Sequence, residues 1–145
     1  MNNRRKFKKG QSLVELAIVF PFFLLIILGG IIDFGFAFHN FLTLQQIVND
    51  TAQWAAEVNK MQNSSQVVEH ANSLKPSWWA GAFTVHSPVL SKLDGDGEIV
   101  SVTITYQSPT YTPFYQTVMQ STSGTSDIRL AAQAAYKIPT SVTVR

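Results

Sequence analysis

The chain has no cysteine, so neither a disulfide nor a thiolate metal site can staple its core. Charge is scarce too, at 14% of 145 residues, and unevenly spread. Arg4, Arg5, Lys6, Lys8 and Lys9 hold five of the eleven basic residues, and no acid precedes Glu15. From Gln11 onward six basic residues stand against nine acidic ones. The pI of about 9.0 therefore belongs to the first few residues. A nucleic-acid face needs cations clustered on the folded part, and that part is slightly acidic, which excludes nucleic acid as a partner. There is no internal repeat, no Gly-rich phosphate loop after a strand and no nucleophile elbow. His39, His70 and His86 are far apart and share no metal-ligand spacing. These absences predict a protein that is not an enzyme and carries no cofactor and no metal.

What the chain does have is an apolar run. No charged residue stands between Leu16 and Ile32, and extending the run from Leu13 to Phe38 adds only Glu15 and Asp33. A helix crosses the hydrocarbon core with about 20 apolar residues, so this one spans a bilayer. The five leading cations place residues 1–10 in the cytoplasm and send the C-terminal part outward. A secretory signal shares the basic start and apolar run, and Gly35-Phe36-Ala37 would serve as its small-x-small cleavage site. The length of the run and its embedded carboxylate favour a retained anchor.

Glu15 lies five residues beyond Gly10, at the edge of the run, where an ionised unpaired carboxylate in lipid is costly. A cut after Gly10 would make Gln11 a new N-terminal ammonium, one helical turn from Glu15 and opposite in charge. Such a pair is worth more in a low-dielectric setting than at a surface. Pro21 removes one helical hydrogen bond, is tolerated in a membrane helix, and predicts a local kink. Gly29-Gly30 offers a close-approach surface for another helix.

The stretch Gly10-Gln11-Ser12-Leu13-Val14-Glu15, behind its basic leader, resembles the cleavage motif of type IV prepilins. Continued through Pro21 to Gly29-Gly30-Ile31-Ile32-Asp33-Phe34-Gly35, it resembles the TadE-like family, minor pilins or pseudopilins of the tight-adherence (Tad/Flp) pilus. Here Asp33 stands where that family more often has Glu. The resemblance covers about residues 8–60. It implies processing at Gly10/Gln11 by a prepilin peptidase, with Glu15 at mature position five. It also implies a place in the bacterial inner membrane, other pilin-like subunits and a pilus assembly platform as partners, and a role in adherence.

Beyond Asp33 the apolar residues thin to a stripe. Phe34, Phe38, Phe41, Leu44, Val48, Ala52 and Ala55 recur at three- and four-residue steps, the period of an amphipathic helix. One helix from about Ser12 to Met61 would be about 75 Å long, far more than a membrane requires, so its outer half must cover something: the chain's own sheet or, alternatively, another subunit's helix. The aromatic residues Phe34, Phe36, Phe38, Phe41 and Trp54 read as interfacial belt and core. After Asn63-Ser64-Ser65, Val67, Ala71 and Leu74 form one face of a short helix ended by Pro76. Trp78 and Trp79 follow in a turn.

Phe83 and Val85 begin a short strand, with Ser87 at its limit. Val100, Val102, Ile104 and Tyr106 alternate with polar residues as the clearest strand in the chain. Ile128, Leu130, Ala132, Ala134, Tyr136 and Ile138 give a third, although its alanines leave a helix open. Thr112-Pro113 can start a short helix carrying Phe114, Val118 and Met119, with Ser121–Ser126 as a polar loop. Asp94-Gly95-Asp96-Gly97-Glu98 has calcium-like carboxylate spacing without the full ligand pattern, and Asp-Gly pairs between strands are hairpin-turn signals.

The expectation is therefore an α+β, pilin-like protein: a basic leader (1–10), a transmembrane helix (11–38) and an extracytoplasmic domain (39–145) in which the continuing helix packs on a small antiparallel sheet. The alternatives are an unprocessed anchor scaffolding an envelope complex, which would keep residues 1–10, and a secreted binding domain starting near Phe38.

Overall fold

The computed structural model describes residues 4–57, 64–93 and 97–139. One helix, α1, runs unbroken from Arg4 to Glu57. At 1.5 Å per residue its 54 residues reach about 80 Å. It starts before Ser12, passing through Gly10 without interruption. A single glycine costs a helix about 1 kcal/mol, and its basic and Gln neighbours are good helix formers. Pro21 also lies inside α1 without ending it. The expected end near Met61 falls outside the described residues, as does Asn63.

Four more short elements and two long strands follow. They are α2 (Ser64–Ser73), β1 (Phe83–Val85), β2 (Val89–Leu93), β3 (Gly97–Pro109), α3 (Pro113–Ser123) and β4 (Asp127–Lys137). The sheet is antiparallel throughout, with β3 at its centre. β4 pairs with one edge of β3 along its length, from Ile99↔Lys137 to Pro109↔Asp127. β1 and β2 share the other edge, β1 opposite Ile104–Tyr106 and β2 opposite Gly97–Ser101.

β1 and β2 are thus one edge strand interrupted at His86–Pro88. His86 N–H still donates to Thr103 O at 3.0 Å, but Pro88 has no N–H to give, and an edge is where a sheet tolerates proline. The sequence reading anticipated three strands. It missed β2 because Val89, Leu90 and Lys92 are all exposed at this edge, so no alternation marks them. The β2–β3 hairpin closes at Leu93↔Gly97. Asp94, Gly95 and Asp96 of the calcium-like segment lie outside the described residues.

Alternation along β3 is as read: Val100, Val102, Ile104 and Tyr106 are buried, and Ser101, Thr103 and Thr105 lie between them, half-buried. β4 is a strand and not a helix, with Ala132 buried and Leu130 and Ala134 half-buried on the same face. The core lies between this face and the outer half of α1: Leu44, Ile47, Val48, Ala52, Ala55 and Ala56 pack on the β3 row, with α2 adding Val67 and Ala71. The small residues Ala52, Ala55 and Ala56 let backbones approach closely there.

From Leu44 onward the inward stripe of α1 is the one expected, with Leu44, Val48, Ala52 and Ala55 buried, but between Phe34 and Phe41 it is rotated. Phe34 and Phe38 are 59% and 64% exposed, and Phe41 is half-buried. Asp33, Ala37 and Asn40 face inward in their place. This helix is long and apolar enough to cross a membrane, and in such a helix hydrophobicity alone does not mark the packed face, because an apolar side chain then has a favourable place outward. Polar residues face inward where the domain supplies partners. Asn40 Nδ2 donates to Ser108 Oγ at 2.9 Å, and Trp79 Nε1 donates to Asn40 Oδ1 at 3.0 Å. Trp79 in turn stacks on Tyr106, with ring centroids 4.0 Å apart. Of the adjacent pair Trp78 and Trp79, Trp79 is buried and Trp78 is 68% exposed.

The polar stretch after Met119 is not all loop. Ser121, Thr122 and Ser123 complete α3, their hydroxyls donating to the Val118 and Met119 carbonyls. The helix stops at Gly124, which takes a left-handed φ of 73° and donates its N–H to Gln120 O, the ordinary glycine ending of a helix.

Candidate functional site

Two features of α1 stand out, an uncovered apolar length and a buried acid where the domain first touches it. From Leu13 to Leu28 every large apolar side chain described is exposed. An apolar surface of this extent is not stable in water and marks a binding or membrane surface. Glu15, at its start, is exposed and accepts a hydrogen bond from Gln11 Nε2 at 3.2 Å. Gly10 is exposed, and a side chain added there would meet nothing within 4 Å. The side chains of the leader residues Arg4, Arg5, Lys6, Lys8 and Lys9 lie outside what the structure describes, although their backbone is helical.

Cover begins at Gly29. Gly29 and Gly30 are buried, and what buries them is α3 of the same chain. A Cβ on Gly29 would stand 3.4 Å from Thr112 Oγ1; one on Gly30 would stand 2.5 Å from Tyr115 Oη. Gly30 thus makes room for a tyrosine. Tyr115 packs edge-on against Phe34 at 5.9 Å between centroids and brings its hydroxyl to 3.4 Å from Ile26 O. Tyr111 packs against Phe36 at 4.9 Å.

Asp33 is the centre of this contact, 1% exposed. Its Oδ1 accepts the Tyr111 N–H at 2.7 Å and the Thr112 N–H at 3.2 Å, and its Oδ2 accepts the Thr112 hydroxyl. Thr112 is the N-cap of α3 but makes no side-chain capping bond of its own. Backbone N–H groups at a helix start have no partner within the helix, and a carboxylate there is favoured by the helix dipole. Asp33 therefore takes the N–H groups of Tyr111 and Thr112, the two residues that lead into α3, rather than the N2 and N3 groups that a local cap takes, with charge-assisted bonds stronger than neutral ones. It fastens the start of α3 to the apolar helix.

The sequence marks Asp33, the glycine pair and the Thr112-Pro113 helix start, but not their meeting, and it does not mark Tyr111 or Tyr115. The available signal was Thr112-Pro113, a helix start lying in a chain with one acid to spare inside its apolar run. The histidines remain apart. His86 Nε2 is 3.3 Å from Thr105 Oγ1, His70 stacks on Trp54 and lies 3.7 Å from Asp50, and His39 is exposed. Among the described residues no group of three or more His, Cys, Asp or Glu is placed to hold a metal.

A long N-terminal apolar helix whose outer half is covered by a small antiparallel sheet is an α+β architecture that fits a single-pass membrane protein. More particularly, residues 10–53 match the family model described as TadE-like protein. The match bears out the resemblance read from Gly10 to Gly35: over this stretch the chain is similar to TadE-like proteins, consistent with a protein of the Tad pilus system. No curated protein and no solved structure matches the chain.

Proposed function

We propose that this chain is a minor pilin or pseudopilin of a Tad/Flp pilus, matured by a prepilin peptidase that cuts between Gly10 and Gln11. The observation that carries the reading is the uncovered apolar face of α1, which begins with a lone carboxylate five residues beyond an open glycine. The basic leader, residues 1–10, is cytoplasmic and is removed. Residues 11–38 hold the subunit in the bacterial inner membrane, and residues 39–145 form the domain on the far side. In the uncut chain the side-chain amide of Gln11 reaches Glu15. After the cut, the new ammonium of Gln11 pairs with Glu15 of its own or a neighbouring subunit. The apolar face that lipid covers before assembly then packs against helices of other pilin-like subunits, on the pilus assembly platform. The role is structural, in assembly and adherence, and the chain is a substrate of the peptidase and not itself a catalyst.

The test is to shear pili from host cells and follow the chain in the filament and membrane fractions, with crosslinking to other pilin-like subunits. The expected outcome is crosslinked or filament-borne chain, with Glu15→Ala retained in the membrane but lost from those species. A chain found only in membranes, crosslinking to no pilin-like subunit, would favour an envelope scaffold.

A further inference from the structure

The short helix α3 is an odd element for a water-soluble domain. It has no fully buried side chain, and Tyr111, Phe114 and Val118 point outward, 53%, 47% and 37% exposed. It also sits in a stretch without charge, since no Asp, Glu, Lys or Arg stands between Glu98 and Asp127. In place it lies beside α1, joined to it at Ile26, Gly30, Asp33 and Phe34. Those are residues of the apolar run.

We infer that α3 is a second membrane contact: it lies in the outer boundary of the bilayer that α1 crosses, with Phe114 and Val118 among lipid acyl chains. This rests on the reading of α1 as a membrane-spanning helix. A hydrocarbon core takes about 20 helical residues, so a core entered near Glu15 is left near Gly35. The segment against α3, from Ile26 to Phe34, then occupies the outermost 12 Å or so at 1.5 Å per residue. Interfacial helices sink their apolar face about 5–10 Å into the headgroup and acyl boundary, which is the same depth. Tyrosines favour that level, where ring and hydroxyl find different surroundings, and Tyr111 and Tyr115 stand there.

Between the two helices runs an apolar groove of about 520 Å³, walled by Phe22, Leu25 and Ile26 on one side and by Pro113 and Phe114 on the other. It is continuous with the lipid-facing surface of α1, and its lining offers no charged group, so acyl chains are the occupants it fits. Asp33 makes this placement tolerable for α3. The amides of Tyr111 and Thr112 would otherwise face a medium without acceptors.

Because the chain lacks cysteine, one introduced cysteine takes one spin label. The full-length chain is labelled singly at Leu25→Cys, Phe114→Cys, Val118→Cys or Gln133→Cys and placed in phospholipid vesicles. Collision with oxygen, which concentrates in lipid, is compared with collision with an aqueous nickel chelate. The expected result is an oxygen-to-nickel ratio at 114 and 118 several-fold above that at 133 and approaching that at 25. A lipid-like ratio at 25 with water-like ratios at 114 and 118 overturns the inference and leaves the membrane span standing. A water-like ratio at 25 as well overturns both. Spin–spin broadening at 114 that disappears on dilution with unlabelled chain would mean a second copy fills the groove, and overturns the lipid assignment.

Discussion

Replacing Asp33 by alanine removes one carboxylate from α1 and three hydrogen bonds from the residues that lead into α3. The carboxylate accepts the Tyr111 N–H at 2.7 Å, the Thr112 N–H at 3.2 Å and the Thr112 hydroxyl, and it is 1% exposed. Hydrogen bonds to a charged group contribute about 1.5–3 kcal/mol each, and a donor left buried without a partner costs about as much. Two such donors make about 3 kcal/mol a low figure for the loss at the α3 N-terminus, or roughly 100-fold in an opening equilibrium. The loss should be local, because α3 has no buried side chain and the sheet core does not depend on it. Amide hydrogen exchange of the full-length chain in lipid nanodiscs reads this directly. Tyr111 and Thr112 in Asp33→Ala should exchange about 100-fold faster than in the parent chain. Val102 and Ile104 in the central strand should be unchanged. Asp33→Asn keeps one acceptor oxygen and should show a much smaller acceleration. Unchanged exchange at Tyr111 and Thr112 would refute the clamp, and equal acceleration in β3 would refute its local character.

Gly30→Ala forces the Tyr115 ring aside and should cost about 1–3 kcal/mol in thermal unfolding, with Tyr115→Phe in the same chain recovering part of it; additive losses would count against the contact. Asn40→Ala strands Trp79 Nε1 and Ser108 Oγ inside the core and should cost about 1–3 kcal/mol, seen as an earlier melt of tryptophan fluorescence. Burial raises the Tyr106 phenol above its ordinary value of 10.0. The folded state thus holds that proton more tightly than the unfolded one, so the stability is fully present below about pH 10 and is lost as pH climbs through the raised value. Tyr106→Phe should remove this alkaline loss, and an unaltered pH profile in that variant would contradict the assignment.

How legible all this was in the sequence depended on which solvent each residue faces. Val100, Val102, Ile104 and Tyr106 gave a clean period of two because one face of β3 is packed and the other is not. α2 was legible for the same reason, through Val67 and Ala71. On α1 the same logic failed between Phe34 and Phe41, where phenylalanines stand outward and Asp33, Ala37 and Asn40 face the domain; in the proposed span the first of these phenylalanines lie against lipid, and hydrophobicity does not mark the packed face. β2 was silent because an exposed edge strand interrupted by Pro88 needs no alternation. Asp33 was visible as an anomaly, but its meaning was not, since its partners Tyr111 and Thr112 lie some eighty residues away. A long-range contact between a side chain and a helix start leaves no local period. The motif from Gly10 to Glu15 was readable as chemistry, an open glycine ahead of a lone acid, while its use by a peptidase depends on a second protein.

Maturation at Gly10 is read out by the intact mass and N-terminal peptide of the chain recovered from its host membrane. The proposed cut gives a chain beginning at Gln11, and one that keeps its leader when Gly10 is replaced by a bulky residue or the peptidase is absent. A chain that begins at Met1 in peptidase-competent cells would contradict the claim and leave an unprocessed anchor, and one beginning near Phe38 would mean that the apolar run is a cleaved signal.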